Sequence, residues 1–146
     1  QSVEEPEKEG EDVFDQCTVN EYKPGHGIAP HVDTHSAFGS MLVSLSLLSA
    51  TTMTFVHCVT GHRLDLILPP RSMLILTKEQ RYAWTHCVAK RSMDLMRVEG
   101  DKGRKVVVQQ RATRVSLTFR RLRRVEEGPC TCAFPGVWCD SSQNIK

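Results

Sequence analysis

Between Pro24 and Gly39 the chain reads PGHGIAPHVDTHSAFG, with His31, Asp33 and His35 at alternate positions. In an extended strand successive side chains point to opposite faces, so these three share one face and Val32 and Thr34 take the other. Neighbouring same-face Cα atoms lie about 6.6 Å apart, close enough for His31 and Asp33 to meet one ion. An apolar core penalises that arrangement and solvent does not need it, whereas a metal ion rewards it. Two imidazoles and one carboxylate on one side of an iron ion leave the opposite coordination positions open. The third ligand must then come from a neighbouring strand. His86, in RYAWTH, follows the apolar run 72–77 and is the best placed, while His57 and His62 flank a turn and read as exposed loop histidines.

A second constellation stands in RVSLTFR, residues 114–120. Val115, Leu117 and Phe119 face one way, and Arg114, Ser116, Thr118 and Arg120 face the other. The two arginine Cα atoms stand about 20 Å apart on a straight strand. Their guanidinium arms can close most of that gap on a small dianion, since arginine grips carboxylates bidentately. The competing reading is an exposed basic strand face. Further along, Cys130, Cys132 and Cys139 supply three soft ligands, one short of a closed tetrahedral zinc site. The alternative there is reduced, buried thiols. Cys17, Cys58 and Cys87 read as packing residues.

Short strands must position these groups. MLVSLSLLS alternates Val43, Leu45 and Leu47 against Ser44 and Ser46, HRLDLILPP alternates Leu64, Leu66 and Leu68, SMLILT is a short apolar run, and RVSLTFRRLR alternates again. Breaks such as VTGHR, PPRS and EGDKGRK separate them. No segment carries a long helical period, so the chain reads as mainly β, an antiparallel sandwich or barrel.

At 146 residues, 40% hydrophobic and 25% charged, the chain suits one globular domain. No apolar run approaches the roughly 20 residues of a membrane span. The formal charge of +2 hides an asymmetry. Residues 1–15 hold seven acids against Lys8 and read as a disordered leader, with order starting near Val13, whereas Lys102–Arg124 holds nine Lys and Arg and no acid. That run reads either as a solvated sheet edge or as a phosphate-facing surface. Six cysteines suit a reducing compartment with a metal site at least as well as disulfides.

NEYKPGHGIAPHVD, RYAWTH and RVSLTFR, in that order, resemble the AlkB family of iron(II)- and 2-oxoglutarate-dependent dioxygenases, with its N-x-Y, H-x-D, distal H and R-x-[NS]-x-T-x-R elements. The resemblance is strongest to the branch that hydroxylates the modified wobble uridine of tRNA. It extends through HVDTHSAF, VSLSL and PRSML to the tail PCTCAFP and CDS, over about residues 18–143. It implies a double-stranded β-helix, or jelly-roll, over 16–125, with a zinc-binding tail over 126–146 packed on it.

Residue by residue, the resemblance makes His31, Asp33 and His86 iron ligands and has Asn20 and Tyr22 hydrogen-bond 2-oxoglutarate. Arg114 and Arg120 would pair with its carboxylates, the ends unassigned. It also supplies the fourth zinc ligand, His35, beside Cys130, Cys132 and Cys139, so strict alternation must relax after Asp33. The gap from Cys132 to Cys139 is one residue longer than the family pattern.

The implied reaction consumes O2 and 2-oxoglutarate and hydroxylates 5-(methoxycarbonylmethyl)uridine in a tRNA anticodon loop. The expected compartment is the cytoplasm, with the nucleus open. Two departures accompany this. The family segment before N-x-Y is reduced here to the acidic leader, and the RNA-recognition and methyltransferase domains of a longer chain are absent from the 146 residues. The alternatives are a demethylase of N-alkylated bases and, in another class, a catalytically silent, zinc-stabilised tRNA-binding fragment.

Overall fold

The computed structural model describes residues 14–100, 103–134 and 139–140, apart from the side chains of residues 97–100 and 104. The acidic leader through Val13 and the last six residues of the tail lie outside the described residues.

Two four-stranded sheets make the frame. The first runs β1 (Gln16–Tyr22), β10 (Arg114–Leu122), β3 (Phe38–Leu48), β6 (Ser72–Leu76), and the second runs β2 (Ile28–His31), β7 (Trp84–Val88), β4 (Thr51–His57), β5 (Arg63–Leu68). Every pairing within them is antiparallel. Apart from the β4–β5 hairpin, successive strands of this frame switch sheets, which winds the chain into a jelly-roll. The mainly β, jelly-roll expectation therefore holds.

Leu42, Met53, Phe55, Leu68, Leu76 and Val88 come from both sheets and form one buried cluster, with Ile28, Phe38, Leu66, Leu74 and Trp84 packed around it. Gly27 lets the entry to β2 lie against the end of β7, because a Cβ there would sit 2.1 Å from the Val88 carbonyl oxygen. Some elements escaped the sequence pattern. A five-residue helix, α1 (Lys78–Tyr82), joins β6 to β7, and β8 (Met93–Gly100) pairs with β9 (Gly103–Gln110) as a separate ribbon. Among the described residues no helix is long and apolar enough to cross a membrane.

The alternating strands β3 and β10 turn their polar faces inward. Ser46 and Ser116 are buried opposite each other on β3 and β10, with Arg114 at 3% exposure. Val19 on β1 and Met73 and Ile75 on β6 stand exposed on the outer face. Arg114 and Arg120 thus lie on the wall between the sheets, and the reading of an exposed basic strand face is excluded.

Candidate functional site

One cleft between the sheets is lined by Asn20, Tyr22, His31, Asp33, His86, Arg114 and Arg120 together. Register explains the meeting. His31 is the last residue of β2 and sits directly opposite His86 on β7, which brings the two ring centroids to 4.4 Å. Asp33 lies beyond the strand, in the loop to β3, and one of its oxygens is 3.7 Å from His31 Nε2. The alternation expected through Asp33 therefore ends two residues earlier. A chain leaving the sheet can swing its carboxylate toward the imidazoles while freeing His35 to point elsewhere.

The donor chemistry fits a divalent metal. His31 Nδ1 donates to the Ala29 carbonyl at 2.8 Å, which turns Nε2 toward Asp33. One ligand atom from each of the three residues lies within 4.8 Å of the others. Burial, and then the neighbouring His31, pulls His86 down to about 4, so its imidazole is neutral near pH 7. Its Nδ1 is buried with no hydrogen-bond partner. Burial raises the Asp33 carboxyl, but hydrogen bonding and charge from Arg120, with the imidazoles, bring it below its ordinary value. A neutral His86 imidazole beside the Asp33 carboxylate suits ligation of a divalent ion.

The arginines divide by position. Arg120 Nε donates to Asp33 Oδ2 at 3.1 Å and its Nη1 to Thr18 Oγ1 at 2.9 Å, beside the imidazoles. Arg114 Nε donates to Ser46 Oγ at 2.9 Å, and its guanidinium stands 5.4 Å from the centre of the Tyr22 ring. Tyr22 pairs with Arg114 across β1 and β10, and Asn20 pairs with Ser116. Arg114 Nη2 is buried without a partner in the cleft wall. An orphaned cationic donor at one end, and a carboxylate with two imidazoles at the other, suit a dicarboxylate lying along the cleft. A 2-oxoglutarate molecule beside a divalent ion fits these residues.

A second cluster lies behind the same loop. His35 is fully buried, and its Nδ1 stands 3.5 Å from Cys132 Sγ. Its Nε2 has no partner. The ligand atoms of His35, Cys130, Cys132 and Cys139 fall within 4.8 Å of one another, so the longer Cys132–Cys139 gap does not keep Cys139 out. Burial and the neighbouring Cys130 and Cys139 push the Cys132 thiol up to about 12. Such crowding of thiols is relieved by a soft cation, and three sulfurs with one imidazole suit zinc. None of the six cysteines is in a disulfide.

Three sequence expectations need correction. His57 is buried, not an exposed loop residue: its ring packs edge-on to Trp84 and its Nε2 lies 3.0 Å from Glu79. Cys17 is exposed, because β1 turns it to the outer face of the sheet. The described arginines of the run Lys102–Arg124 do not all face outward, while Lys102 and the Arg104 side chain lie outside the described residues. Arg111, Arg114 and Arg120 point inward, Arg121 pairs with Glu127, and Arg123 donates to carbonyls of residues 127–129. His62 is exposed as expected. The sequence reading missed Ser46 and Arg81, which carry no spacing signal, and Asp140, whose carboxylate accepts from the Ser36 amide and hydroxyl.

Known proteins resemble this chain along most of its length. The "tRNA (carboxymethyluridine(34)-5-O)-methyltransferase alkbh8" of Xenopus tropicalis is 44% identical over 141 residues, covering 90% of this chain and 22% of that protein. The mouse protein of the same name is 43% identical over 135 residues, covering 86% and 19%. An Arabidopsis thaliana protein named "Alkylated DNA repair protein ALKBH8 homolog" is 40% identical over 149 residues, covering 90% and 40%. The chain thus spans about a fifth of the length of the two animal relatives. Residues 1–120 match the 2OG-Fe(II) oxygenase superfamily, well over half of the chain, and to that superfamily the chain belongs.

Proposed function

We propose that the chain binds iron(II) through His31, Asp33 and His86 and hydroxylates the 5-(methoxycarbonylmethyl)uridine wobble base of tRNA. The observation that carries the metal reading is the convergence of those three ligand atoms within 4.8 Å, from β2, its following loop and β7. In this reading iron couples the oxidative decarboxylation of 2-oxoglutarate by O2 to hydroxylation of a substrate C–H bond.

The chain's own residues bind and orient. Arg114, with Tyr22 and the Ser46 hydroxyl behind it, takes the far carboxylate of 2-oxoglutarate, because its Nη2 is the unpaired donor there. Arg120 holds Asp33 and stands beside the metal end, and Asn20 hydrogen-bonds the co-substrate from β1. His31 Nδ1–H, fixed on the Ala29 carbonyl, holds the ring so that Nε2 is aimed at the ion. Leu42, Met53, Leu74 and Leu76 form the apolar part of the cleft wall and limit water around the co-substrate. His35, Cys130, Cys132 and Cys139 hold zinc, which ties the tail to the loop that carries Asp33.

The tRNA substrate is supported by the two animal relatives, whose names specify a tRNA methyltransferase. The plant relative's name specifies repair of alkylated DNA and supports the second reading, oxidative demethylation of N-alkylated bases. The test is anaerobic titration of zinc-loaded protein with Fe(II) and 2-oxoglutarate, followed by aerobic turnover on tRNA. A metal-to-ligand charge-transfer band that His31→Ala abolishes, with hydroxylated uridine in the digest, is the expected result. Turnover of only methylated adenine or cytosine would select the second reading. No band, with zinc retained, would leave a silent zinc-stabilised module.

A further inference from the structure

Asp33 has no strand to hold it, since β2 stops at His31 and β3 starts at Phe38. What fixes its main chain is Arg81 of α1, among the largest fully buried side chains at 1% exposure. Arg81 Nη1 donates to the Asp33 carbonyl at 2.7 Å, and Nη2 to the Thr34 and Phe38 carbonyls at 3.0 and 3.4 Å. Its Nε donates to the Gly39 carbonyl at 3.2 Å. Those four carbonyls stand at the two ends of the β2–β3 loop, so one planar guanidinium fills the loop from inside. A buried cation is costly unless its donors are satisfied, and here loop carbonyls satisfy them.

The neighbouring residue holds the other end of the same device. The Tyr82 ring lies edge-on to His35 at 5.0 Å, and the Arg81 guanidinium stands 4.8 Å from the Tyr82 ring centre. The loop thus carries a candidate iron ligand at Asp33 and a candidate zinc ligand at His35, both referred to the same two residues of α1. Arg120 orients the Asp33 carboxylate, and Arg81 orients the backbone beneath it.

We infer that Arg81 is a positioning residue for iron: by locking the carbonyls of Asp33, Thr34, Phe38 and Gly39, it presets the Asp33 carboxylate for the metal. This rests on the reading of His31, Asp33 and His86 as iron ligands. A residue that merely fills the core contributes to stability alone, whereas a positioning residue changes metal affinity in a protein that is still folded. Groups behind a metal ligand typically contribute about 10- to 100-fold in affinity.

The test uses the full chain, zinc-loaded and anaerobic, titrated with Fe(II) in excess 2-oxoglutarate and followed by its charge-transfer band. Arg81→Met keeps most of the volume and removes every donor. It should raise the Fe(II) dissociation constant about 10- to 100-fold while zinc stays near one per chain. Arg81→Lys, with a charge but no fork, should recover part of that loss. An unchanged Fe(II) affinity in a zinc-retaining Arg81→Met protein would overturn the inference. Loss of zinc and of cooperative melting in both variants would overturn it too, since Arg81 would then serve the fold as a whole. If the unsubstituted chain gives no band, the iron reading itself fails, an outcome visible before any variant is made.

Discussion

Arg114 and Arg120 leave the same face of one strand yet meet different partners. Arg120 is committed to Asp33, Gln16 and Thr18, whereas Arg114 keeps a buried Nη2 unpaired beside Tyr22. The spacing in RVSLTFR made both candidates for the carboxylates of a dianion, and only their partners separate the roles. Lysine at position 114 would keep the charge and lose the fork. Losing one charge-assisted hydrogen bond costs about 1.5–3 kcal/mol. Arg114→Lys should therefore weaken 2-oxoglutarate binding about 10- to 100-fold, read from the charge-transfer band at saturating Fe(II). Fe(II) affinity without 2-oxoglutarate should stay within about twofold, because Arg114 does not touch the imidazoles. An unchanged 2-oxoglutarate affinity would move the far carboxylate elsewhere.

At the scale of elements, the β8–β9 ribbon depends on one carboxylate. An isolated two-stranded ribbon is marginal in water. Asp94, fully buried on β8, accepts from the Thr52 amide of β4 at 3.1 Å, from Arg91 Nε at 2.7 Å and from Arg111 Nε at 2.6 Å. Removing that carboxylate leaves Arg111, itself 9% exposed, without its counter-ion. Asp94→Ala should cost about 3–5 kcal/mol in denaturant unfolding. Burial raises the Asp94 carboxyl, but hydrogen bonds from Arg111, Arg91 and Thr52 outweigh it and hold the group below its ordinary value. A depressed carboxyl contributes stability above its unfolded pKa of about 3.9 and loses it as pH falls through the lower folded value. The gap in Tm between the native chain and Asp94→Ala should therefore narrow below about pH 4. A gap independent of pH would assign the clamp to packing instead.

At the scale of the whole molecule, the described part of the tail meets the jelly-roll at the β2–β3 loop as well as at the end of β10. Ser36 binds Asp140, and His35 lies among Cys130, Cys132 and Cys139. In the proposed reading zinc closes this junction, so metal and fold are linked. Cys139→Ser should drop bound zinc from about one per chain to less than half of that and lower the Tm by several degrees. Metal analysis and calorimetry on the same sample read both. Full zinc with an unchanged melt would remove Cys139 from the shell.

Residue types and spacing determined much of this by themselves. His31, Asp33 and His86 stood out because imidazoles and a carboxylate at those separations have no use in an apolar core, and the alternating strands announced a β architecture through their period of two. Cys130, Cys132 and Cys139 likewise stood out as candidate soft ligands, and the fold gathers them beside His35. Other features came only from tertiary structure. Alternation marks two faces without saying which turns inward, and on β3 and β10 the serine and arginine face does, lining a cleft beside the apolar cluster. Where β2 ends is set by its pairing with β7, so Asp33 left the strand that the pattern extended through it. Arg81 gave no signal at all, since its partners are carbonyls some forty positions away, and main-chain acceptors look alike in every sequence.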